Sequence, residues 1–354
     1  MKYTLWNMFI DQTFKSIPGV VTKNLEGRTV VVTGANGGIG FETAKHFAKM
    51  NPARVIIACR NQKFGDEAAT KIKQDTGFSN VEVWLLDLAS FASVNAFAEK
   101  YEKEGGRLDI LVENAATIPN GKMVLTDDGW ESVFQVNNLS TSLLALLLLP
   151  RMLETAKTHQ TTPRLVVVSS GVHFWTKIDD SVIKSENPLK AFGTSPKYLG
   201  RATNSIAAKR YYDTKLLNLF FARALADRLR GQPIIVNSVD PGYAYSNLRR
   251  NLKGIMAIVD WLMEKAVAIT SEQASRQLIY AAVHDPPVAN DLRGAYIMQG
   301  KISEPSDYVI SREGISVQNI LWDNLIEELT KVNPDVAQVV KEHLREPPTN
   351  TRVY

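Results

Sequence analysis

The stretch TGANGGIG, Thr33 to Gly40, places four glycines between a β-branched run, TVVV at 29–32, and a helical pattern. In this T-G-x-x-x-G-x-G spacing, Gly34 permits a sharp exit from a strand, Gly38 lets the backbone approach a diphosphate, and Gly40 lets the helix pack tightly on the sheet. The N-terminus of that helix offers free N–H groups to phosphates. A merely tight turn is the alternative, and the strand and helix on either side favour a nucleotide.

Short β-branched runs alternate with helical patterns along the rest of the chain. Because these runs are nearly continuous in Val, Ile and Leu, we expect strands that are covered on both faces. The alternation implies right-handed crossovers. We therefore predict an α/β fold, a single Rossmann-type doubly wound parallel sheet with helices on both faces. The predicted strands cover 29–32, 54–59, 81–86, 108–112, 165–169, 233–239 and 294–298.

The chain of 354 residues is predicted to form one domain with an arm and a tail. We assign 1–27 to an N-terminal arm, 28–330 to the domain and 331–354 to a C-terminal tail. The strand–helix rhythm is interrupted at 171–210 and 242–271, and both segments follow strand ends. Ligands of open α/β sheets bind outside the carboxyl ends of the strands, so both inserts are expected to form a substrate pocket.

Composition and charge argue against several classes of protein. The chain is 45% hydrophobic and 22% charged, which is ordinary for a globular protein. Its net charge of +4 is scattered, so we expect no nucleic-acid partner. Cys59 is the single cysteine, which fits a reducing, cytoplasmic location without disulfides. The apolar run 142–150 is too short to span a bilayer core of roughly 30 Å and predicts a buried helix.

Two interpretations of the N-terminal arm are open. Its start, MKYTLWNMFIDQTFK, is a poor signal peptide. A short helix there would have an apolar side formed by Leu5, Trp6, Met8, Phe9, Ile10 and Phe14. This side could pack on the fold beside the pocket, which we favour, or make peripheral membrane contact.

The end of the second strand indicates which nucleotide is expected. An Asp or Glu there would bind the ribose 2′-OH of NAD, but the strand ends in Ala58, Cys59 and Arg60. Because a planar guanidinium suits a 2′-phosphate, we predict NADP(H) rather than NAD(H). The alternative for Arg60 is a solvated loop residue. Asp87, at the end of the third strand, could accept from an adenine amino group, cap the helix that starts near Ser90, or do both.

A tyrosine and a lysine in YYDTK form a candidate acid–base pair. Tyr211 and Lys215 are four residues apart and share one helical face. A nearby ammonium lowers the pKa of a phenol, which is near 10 when free, and so suits it to exchange a proton with a carbonyl or an alcohol. The Y-x-x-x-K pattern alone usually marks a surface pair. Ser169 and Ser170 at the end of the fifth strand would face the same crevice.

Six motifs occur in an order that resembles the classical short-chain dehydrogenase/reductase superfamily. They are TGANGGIG, ENAA, VNN, VVVSS, YYDTK and DPGYAYS, within residues 28–246. The stretches TGANGGIGFETAKHFA, IIACRN and GKISEPSDYV are similar to the retinol-dehydrogenase-like group. Within that group, the chain looks most like long fungal members from secondary metabolism.

The resemblance implies a role for each matched position. Tyr211 would be the acid–base, and Lys215 would lower its pKa and hold the nicotinamide ribose. Ser170 would bind the substrate oxygen, and Asn137 would hold a water that links Lys215 to solvent. Asn114 would buttress the sheet beside the cofactor. The implied cofactor-binding residues are Gly34, Asn36, Gly38, Ile39, Gly40, Arg60, Asp87, Leu88, Asn114, Ala115, Tyr211, Lys215, Pro241, Gly242 and Ser246.

The chain departs from the family pattern at several positions. The usual N-N-A-G is E-N-A-A, with Glu113 and Ala116 as the differing residues, which puts local cofactor contacts in doubt but not the fold. Ser246 stands where the family usually has Thr. Tyr212 is three residues from Lys215 rather than four, so Tyr211 is preferred.

The long inserts predict a bulky hydrophobic ketone or secondary alcohol as the substrate. Their apolar and aromatic residues form either a pocket wall, which we favour, or ordinary core. These residues are His173, Phe174, Trp175, Pro188, Tyr198, Tyr243, Tyr245, Leu248, Met256 and Trp261.

Two other functions stay open beside the oxidoreductase. Extended members of the superfamily, which are nucleotide-sugar epimerases and dehydratases, share Y-x-x-x-K but usually space their glycines differently. A non-catalytic NADP-sensing protein would not need all of the residues assigned to catalysis. The five histidines lack metal-ligand spacing, so no metal is expected. The protein is expected to be a monomer, or a homodimer through helices that the C-terminal tail could instead cover.

Overall fold

Ten strands lie in the described part of the chain and form two sheets. The computed structural model describes residues 3–14, 17–119, 122–194, 199–201, 204–245, 264–286 and 289–347. The strands are β1 (Thr29–Thr33), β2 (Arg54–Cys59), β3 (Val81–Leu85), β4 (Ile110–Glu113), β5 (Lys122–Met123), β6 (Arg164–Val168), β7 (Gly200–Arg201), β8 (Ile235–Asp240), β9 (Tyr296–Met298) and β10 (Lys301–Ser303). The main sheet has eight strands in the order β10-β9-β8-β6-β4-β1-β2-β3, and β5 pairs with β7 separately.

Helices flank the main sheet and form most of the connections. The α-helices of the described residues are α1 (Leu5–Phe14), α2 (Gly38–Ala48), α3 (Gln62–Thr76), α4 (Phe91–Lys100), α5 (Ser132–Phe134), α6 (Ser140–His159), α7 (Asp180–Ile183), α8 (Pro188–Gly193), α9 (Asn204–Arg228), α10 (Ser271–Val283), α11 (Asp307–Ile310), α12 (Arg312–Val332) and α13 (Asp335–His343). Tyr101–Gly105 and Gln135–Leu139 are π-helical turns, and Gly171–Trp175 and Ala289–Leu292 are 3₁₀ turns.

The sheet is buried on both faces, as the apolar strands predict. Neighbouring residues of a strand point to opposite faces. Val31 therefore belongs to the core under α4, α6 and α9, whereas Val30 and Val32 belong to the core under α2, α3 and α10. Every residue of β1 is buried. The predicted doubly wound α/β fold is confirmed.

One edge of the sheet differs from the prediction, because β10 is antiparallel to β9. The two strands are joined by Gln299 and Gly300, whose φ angles are 56° and 66°. Two consecutive positive φ angles are typical of the tight turn that matches the twist of a hairpin. The strand was missed because it is only three residues long and its turn is Gln-Gly rather than Asn-Gly.

The C-terminal region is a packed part of the fold rather than a tail. The predicted domain boundary at residue 330 falls inside α12, and α13 packs on α6. Trp322 of α12 stacks on Phe221 of α9 with 6.0 Å between the ring centroids. Arg345 donates its backbone N–H to the Arg228 carbonyl at 3.0 Å. These helices cover the outer sides of α6 and α9.

The long apolar helix of the chain is a core helix. The segment Ser132–His159 is long and apolar enough to cross a membrane by length and composition. However, 83% of its most apolar stretch is buried inside the fold. The buried helix predicted for 142–150 is thus confirmed, and it extends well beyond that run.

Candidate active site

The glycine loop connects the carboxyl end of β1 to α2. Gly34 has a φ of 67°, and a Cβ built on it would lie 2.9 Å from the Ala115 Cα. A Cβ on Gly40 would lie 2.5 Å from the Asn114 Nδ2. Any side chain at these two positions would therefore collide with the loop after β4, which explains the two glycines by close packing.

Gly38 differs from the other two glycines because it faces open space. A Cβ built on it meets no described atom within 4 Å. It is the first residue of α2, and Gly37 before it supplies no side-chain cap. The N–H groups of an uncapped helix N-terminus attract anions, so this surface fits the diphosphate of a dinucleotide. Asn36 is exposed and Ile39 half-buried beside it.

The end of β2 carries one exposed cation and one buried thiol. Arg60 follows the strand directly, and its side chain is exposed at the same edge of the sheet as the glycine loop. Cys59 is buried, and burial raises the pKa of its thiol. A raised thiol pKa disfavours the reactive thiolate, so Arg60 is the residue of this pair that can contact a cofactor.

Asp87 does not cap the helix that follows β3. Ser90 is the N-cap of α4 and accepts from the Ser93 N–H at 3.3 Å. The Asp87 Oδ1 instead accepts from the Ala89 N–H at 2.9 Å. The capping interpretation of Asp87 is therefore wrong, and contact with an adenine stays a prediction. The Leu88 side chain is buried in the core, which leaves only its backbone for a cofactor.

Asn114 ties the loop after β4 to the end of β1. Its Nδ2 donates to the Thr33 carbonyl at 2.9 Å and lies 3.4 Å from the Gly34 carbonyl. The backbone N–H groups of Asn114 and Ala115 both donate to the Thr33 hydroxyl at 3.0 Å. The side chain thus fixes the strand exit from which the glycine loop starts.

Glu113, where the chain departs from the family pattern, is a buried carboxyl. It is 4% exposed, and neither oxygen accepts a hydrogen bond from the described residues. Residues two apart on a strand share a face, so Glu113 lies on the side of the core that contains Leu111. Burial raises the pKa of Glu113 well above its ordinary value. The neutral acid is thus the favoured form in the folded protein.

We expect Glu113→Gln to stabilise the protein increasingly as pH rises. The raised pKa of Glu113 in the folded state means that its stability contribution is complete below the unfolded pKa and is lost as pH rises toward the folded one. Gln cannot ionise, so the melting temperatures of variant and wild type should be similar near pH 4 and diverge toward pH 8. Glu67→Gln, an exposed carboxyl on α3, is the control. A difference that is constant with pH would contradict a neutral Glu113.

The two serines after β6 have different surroundings. The Ser169 hydroxyl is 1% exposed and donates to the Lys215 carbonyl at 2.7 Å, so it joins the strand to α9. Ser170 is half-exposed and caps the 3₁₀ turn, with its Oγ 3.4 Å from the Val172 N–H. Such a long bond is weak, which leaves the Ser170 hydroxyl able to bind a substrate oxygen.

Tyr211 and Tyr212 are distinguished by their neighbours on α9. The Lys215 Nζ lies 5.8 Å from the centre of the Tyr211 ring. Tyr212 packs edge-on against Trp175, and burial raises the pKa of its phenol. A raised pKa makes Tyr212 a poorer acid–base group, and the nearby ammonium favours Tyr211 for that role.

Lys215 is a buried ammonium at the end of β6. It is 2% exposed, and its Nζ donates to the Val168 carbonyl at 2.9 Å. Burial lowers the pKa of Lys215 to about 8, and the charge of Asp240 opposes that shift. The ammonium thus lies at the end of β6, directly before Ser169 and Ser170, and the Ser169 hydroxyl is bonded to the Lys215 carbonyl.

Asn137 ties the loop after β4 to α9 through its side chain. It lies in the π-helical turn, its Oδ1 accepts from the Thr117 N–H at 2.8 Å, and its Nδ2 donates to the Thr117 carbonyl at 2.9 Å. The same Nδ2 donates to the Thr214 hydroxyl at 3.1 Å. Because this carboxamide is engaged, the predicted water would have to bind the backbone of Asn137.

Part of the insert 171–210 is core rather than pocket wall. His173 is fully buried, with Nδ1 donating to the Ser170 carbonyl at 2.8 Å and Nε2 accepting from the Ser306 N–H at 3.2 Å. In α8, Pro188 is buried, and the Leu189 N–H donates to Asn324 of α12 at 2.8 Å. The pocket-wall interpretation is therefore wrong for His173 and Pro188.

Other aromatic residues of the inserts lie at the crevice edge. Phe174, Trp175 and Tyr243 are half-buried, and Tyr245 is 37% exposed. Pro241 is buried and Gly242 has a φ of 83°, directly before Tyr243. Five residues named in the predictions lie outside the described residues, namely Tyr198, Ser246, Leu248, Met256 and Trp261.

The N-terminal arm contacts both inserts. The Trp175 Nε1 donates to the Tyr3 carbonyl at 2.8 Å, and the Tyr3 ring lies 5.1 Å from that of Phe174. The Gln12 Nε2 donates to the Tyr243 carbonyl at 3.2 Å. The arm thus packs beside the expected pocket, while the Trp6 side chain is 67% exposed.

Several buried charged residues at this site were not predicted. Arg210, directly before Tyr211, forms an ion pair with Glu131, and both side chains are fully buried. Asp240, directly before Pro241, is 7% exposed and lies close enough to Lys215 for their charges to interact. The sequence could have indicated Asp240, because an acidic residue stands there at the end of an apolar strand. For Arg210, helical periodicity alone gives no such signal.

Several known proteins are similar to this chain in sequence or in fold. A family model described as short chain dehydrogenase matches residues 28–178. A short chain dehydrogenase/reductase of Cryptosporiopsis sp. is 32% identical over 92% of this chain and 97% of its own. A short-chain dehydrogenase of Penicillium roqueforti is 35% identical over 90% and 82%. The Pseudomonas aeruginosa RhlG/NADP active-site complex is similar in structure, with a TM-score of 0.53, 25% identity, and 72% and 89% coverage.

Proposed function

The chain belongs to the short-chain dehydrogenase/reductase family, and from this premise we propose that it interconverts a bulky hydrophobic ketone and a secondary alcohol with NADP(H). As a member it is an oxidoreductase that acts on CH–OH or C=O groups of small molecules. The observation that carries the finer proposal is the position of the buried Lys215 beside Tyr211 and against the end of β6, where Ser170 follows the strand at the sheet edge that also bears the glycine loop.

The side chains at this edge can assist a carbonyl reduction. When bound, the nicotinamide supplies the hydride. The hydroxyls of Ser170 and Tyr211 hold the carbonyl oxygen as it gains negative charge, which is electrostatic stabilisation at the reacting atom. Tyr211 donates the proton, and the Lys215 ammonium stabilises the phenolate that is left. Alcohol oxidation uses the same groups in the opposite direction.

The choice of NADP(H) is supported by Arg60. Its guanidinium is exposed at the end of β2, where a ribose 2′-phosphate would lie if the diphosphate rests on Gly38. The solved RhlG complex, which contains NADP, has the same fold. No carboxylate competes at the strand end, since the residues there are Ala58 and Cys59.

We expect Arg60→Asp to weaken NADPH binding about 10- to 100-fold and to leave NADH binding nearly unchanged. A hydrogen bond to a charged group is worth about 1.5–3 kcal/mol, and every 1.4 kcal/mol is tenfold in affinity. Fluorescence titration of each reduced nucleotide measures both constants. Arg312→Asp, an exposed arginine at the start of α12, is the control. Unchanged constants for both nucleotides would show that Arg60 is a solvated loop residue.

The bulky hydrophobic substrate is supported by the half-buried aromatic residues Phe174, Trp175 and Tyr243 at the crevice edge. The two relatives described above are fungal, which is in keeping with a role in secondary metabolism. NADPH oxidation with a panel of terpenoid, polyketide, steroid and retinoid ketones tests the proposal. Tight NADPH binding without any turnover would favour a sensor. Turnover of nucleotide sugars alone would favour the epimerase or dehydratase.

We further propose that the protein is a cytoplasmic monomer without a nucleic-acid partner. The helices α12 and α13 cover α6 and α9, through which the family resemblance would predict a homodimer. The contacts of α1 with Trp175 and Tyr243 support packing of the arm on the fold. Peripheral membrane contact through the exposed Trp6 is the alternative.

A further inference from the structure

Asp240 occupies the junction between two loops that approach the reacting groups. It closes β8 and is followed directly by Pro241 and Gly242. The strand pairs in parallel with β6, which leads into Ser170 and Gly171. An acidic side chain at the end of β8 therefore lies between the loop of the substrate-binding serine and the loop expected beside the nicotinamide.

The Asp240 carboxylate is bonded to both loops. Its Oδ1 accepts from the Gly242 N–H at 2.9 Å, and the Gly171 N–H is a second backbone donor to the carboxylate. A Cβ built on Gly171 would lie 2.9 Å from Oδ2, so a larger residue would push the loop away. The Tyr296 hydroxyl lies 3.5 Å from the same oxygen. One buried side chain thus sets the relative position of the two loops.

Asp240 also lies near Lys215, because the Lys215 Nζ donates to the carbonyl of Val168, and Val168 pairs with Val239, the residue directly before Asp240. Burial raises the pKa of Asp240 and lowers that of Lys215, and each charge opposes the shift of the other. The other titratable groups that interact with Asp240 are Tyr296 of β9 and Tyr3 of the arm, and burial raises the pKa of both phenols. His173, whose ring meets that of Tyr296, has its pKa lowered to about 4 by burial. These three are neutral near pH 7, so Lys215 is the only cation in this set.

We propose that Asp240 is a positioning residue that holds the Ser170 loop and the Pro241–Gly242 loop together and keeps the Lys215 ammonium charged at working pH. This assignment deepens the proposed function and rests on it, because Lys215 must be charged to assist Tyr211. In this role Asp240 influences proton transfer through Lys215 and does not contact the substrate.

The test is the pH dependence of the Asp240→Asn variant. Asn is similar in size and can still accept from the Gly242 N–H, but it carries no charge. We expect the alkaline limb of the kcat/KM profile for ketone reduction to move down by roughly one pH unit, because an opposite charge nearby favours the charged form of a lysine. We also expect the NADPH affinity of the variant to fall at a lower pH than that of the wild type, because the Lys215 ammonium would hold the nicotinamide ribose.

Two further variants separate the proposal from a loss of stability. Tyr296→Phe removes the hydroxyl that lies 3.5 Å from Asp240 but leaves the carboxylate charge, so both pH profiles should stay close to those of the wild type. Asp213→Asn also neutralises a buried carboxylate of α9, but Asp213 is bonded to Lys209 and Thr176. This control should leave both profiles at the wild-type pH, even if its melting temperature falls.

The outcomes distinguish this assignment from the proposed function. Unshifted profiles in Asp240→Asn, with an active wild type, would overturn the role of Asp240 and leave the oxidoreductase intact. A wild type that binds NADPH but reduces no ketone would contradict the proposed reaction. The pH dependence of NADPH affinity would then still test the role of Asp240. A wild type that binds no nicotinamide nucleotide would overturn both. Equal shifts in Asp240→Asn and Asp213→Asn would show an unspecific effect and also contradict the assignment.

Discussion

Replacement of Tyr211 by Phe is expected to lower kcat for ketone reduction by about 10²- to 10⁴-fold, the usual contribution of a positioned proton donor. Only the hydroxyl is lost, so the ring keeps its place on α9 beside Lys215. NADPH binding should persist, because the glycine loop and Arg60 are untouched. Stopped-flow or steady-state oxidation of NADPH with the best ketone of the panel measures the rate, and fluorescence titration measures the binding.

Tyr212→Phe is the matched control for this prediction. Tyr212 is the adjacent phenol on the same helix, its ring packs against Trp175, and burial raises the pKa of its hydroxyl. We therefore expect nearly wild-type turnover from this variant. Activity that survives in Tyr211→Phe but disappears in Tyr212→Phe would reverse the assignment. Loss in both variants would indicate damage to α9 rather than to a proton donor.

Replacement of Glu131 by Gln is expected to lower the free energy of unfolding by about 3–5 kcal/mol, because it removes the charge that pairs with the buried Arg210 guanidinium. The Arg210 Nε donates to the Glu131 Oε2 at 2.8 Å, and neither side chain is exposed to solvent. Glu131 also accepts from the N–H groups of Val133 and Phe134 at 2.9 and 3.0 Å. Chemical unfolding, followed by fluorescence, measures the change.

Two comparisons make the Glu131 prediction specific. The double variant Glu131→Gln with Arg210→Met removes both charges, so it should be more stable than either single variant. Glu154→Gln breaks an ion pair with Arg151 at the surface and should change the unfolding midpoint little, since the Glu154 side chain is 60% exposed. Equal stability of the Glu131 and Glu154 variants would contradict a strong buried pair.

Local patterns were sufficient for the seven parallel strands of the main sheet and for the glycine turn after β1. The runs of Val and Ile mark strands because a doubly covered sheet has no polar face, and Gly34 and Gly40 are explained by close packing. The pairing of Tyr211 with Lys215 could also be predicted, since four residues make one helical turn. In each case the physical cause acts within a few residues of the chain.

Contacts between distant segments were not predictable from such patterns. The pairing of Arg210 with Glu131 and the approach of Asp240 to Lys215 depend on how helices and strands meet in space. His173 was interpreted as part of a pocket wall because it lies in an insert, yet it joins Ser170 to Ser306 inside the core. Whether such a residue lies in the core or in a pocket, and which residue it pairs with, depends on its surroundings in three dimensions.

The packing of α13 on α6 affects how the protein folds during translation. At ordinary rates of synthesis, α6 emerges from the ribosome roughly 10 to 40 seconds before α13. Val336 and Val339 of α13, which complete this part of the core, are translated well after α6. The apolar side of α6 that α13 covers therefore stays exposed in the nascent polypeptide until α13 has been translated, which is the kind of interval in which chaperones prevent aggregation.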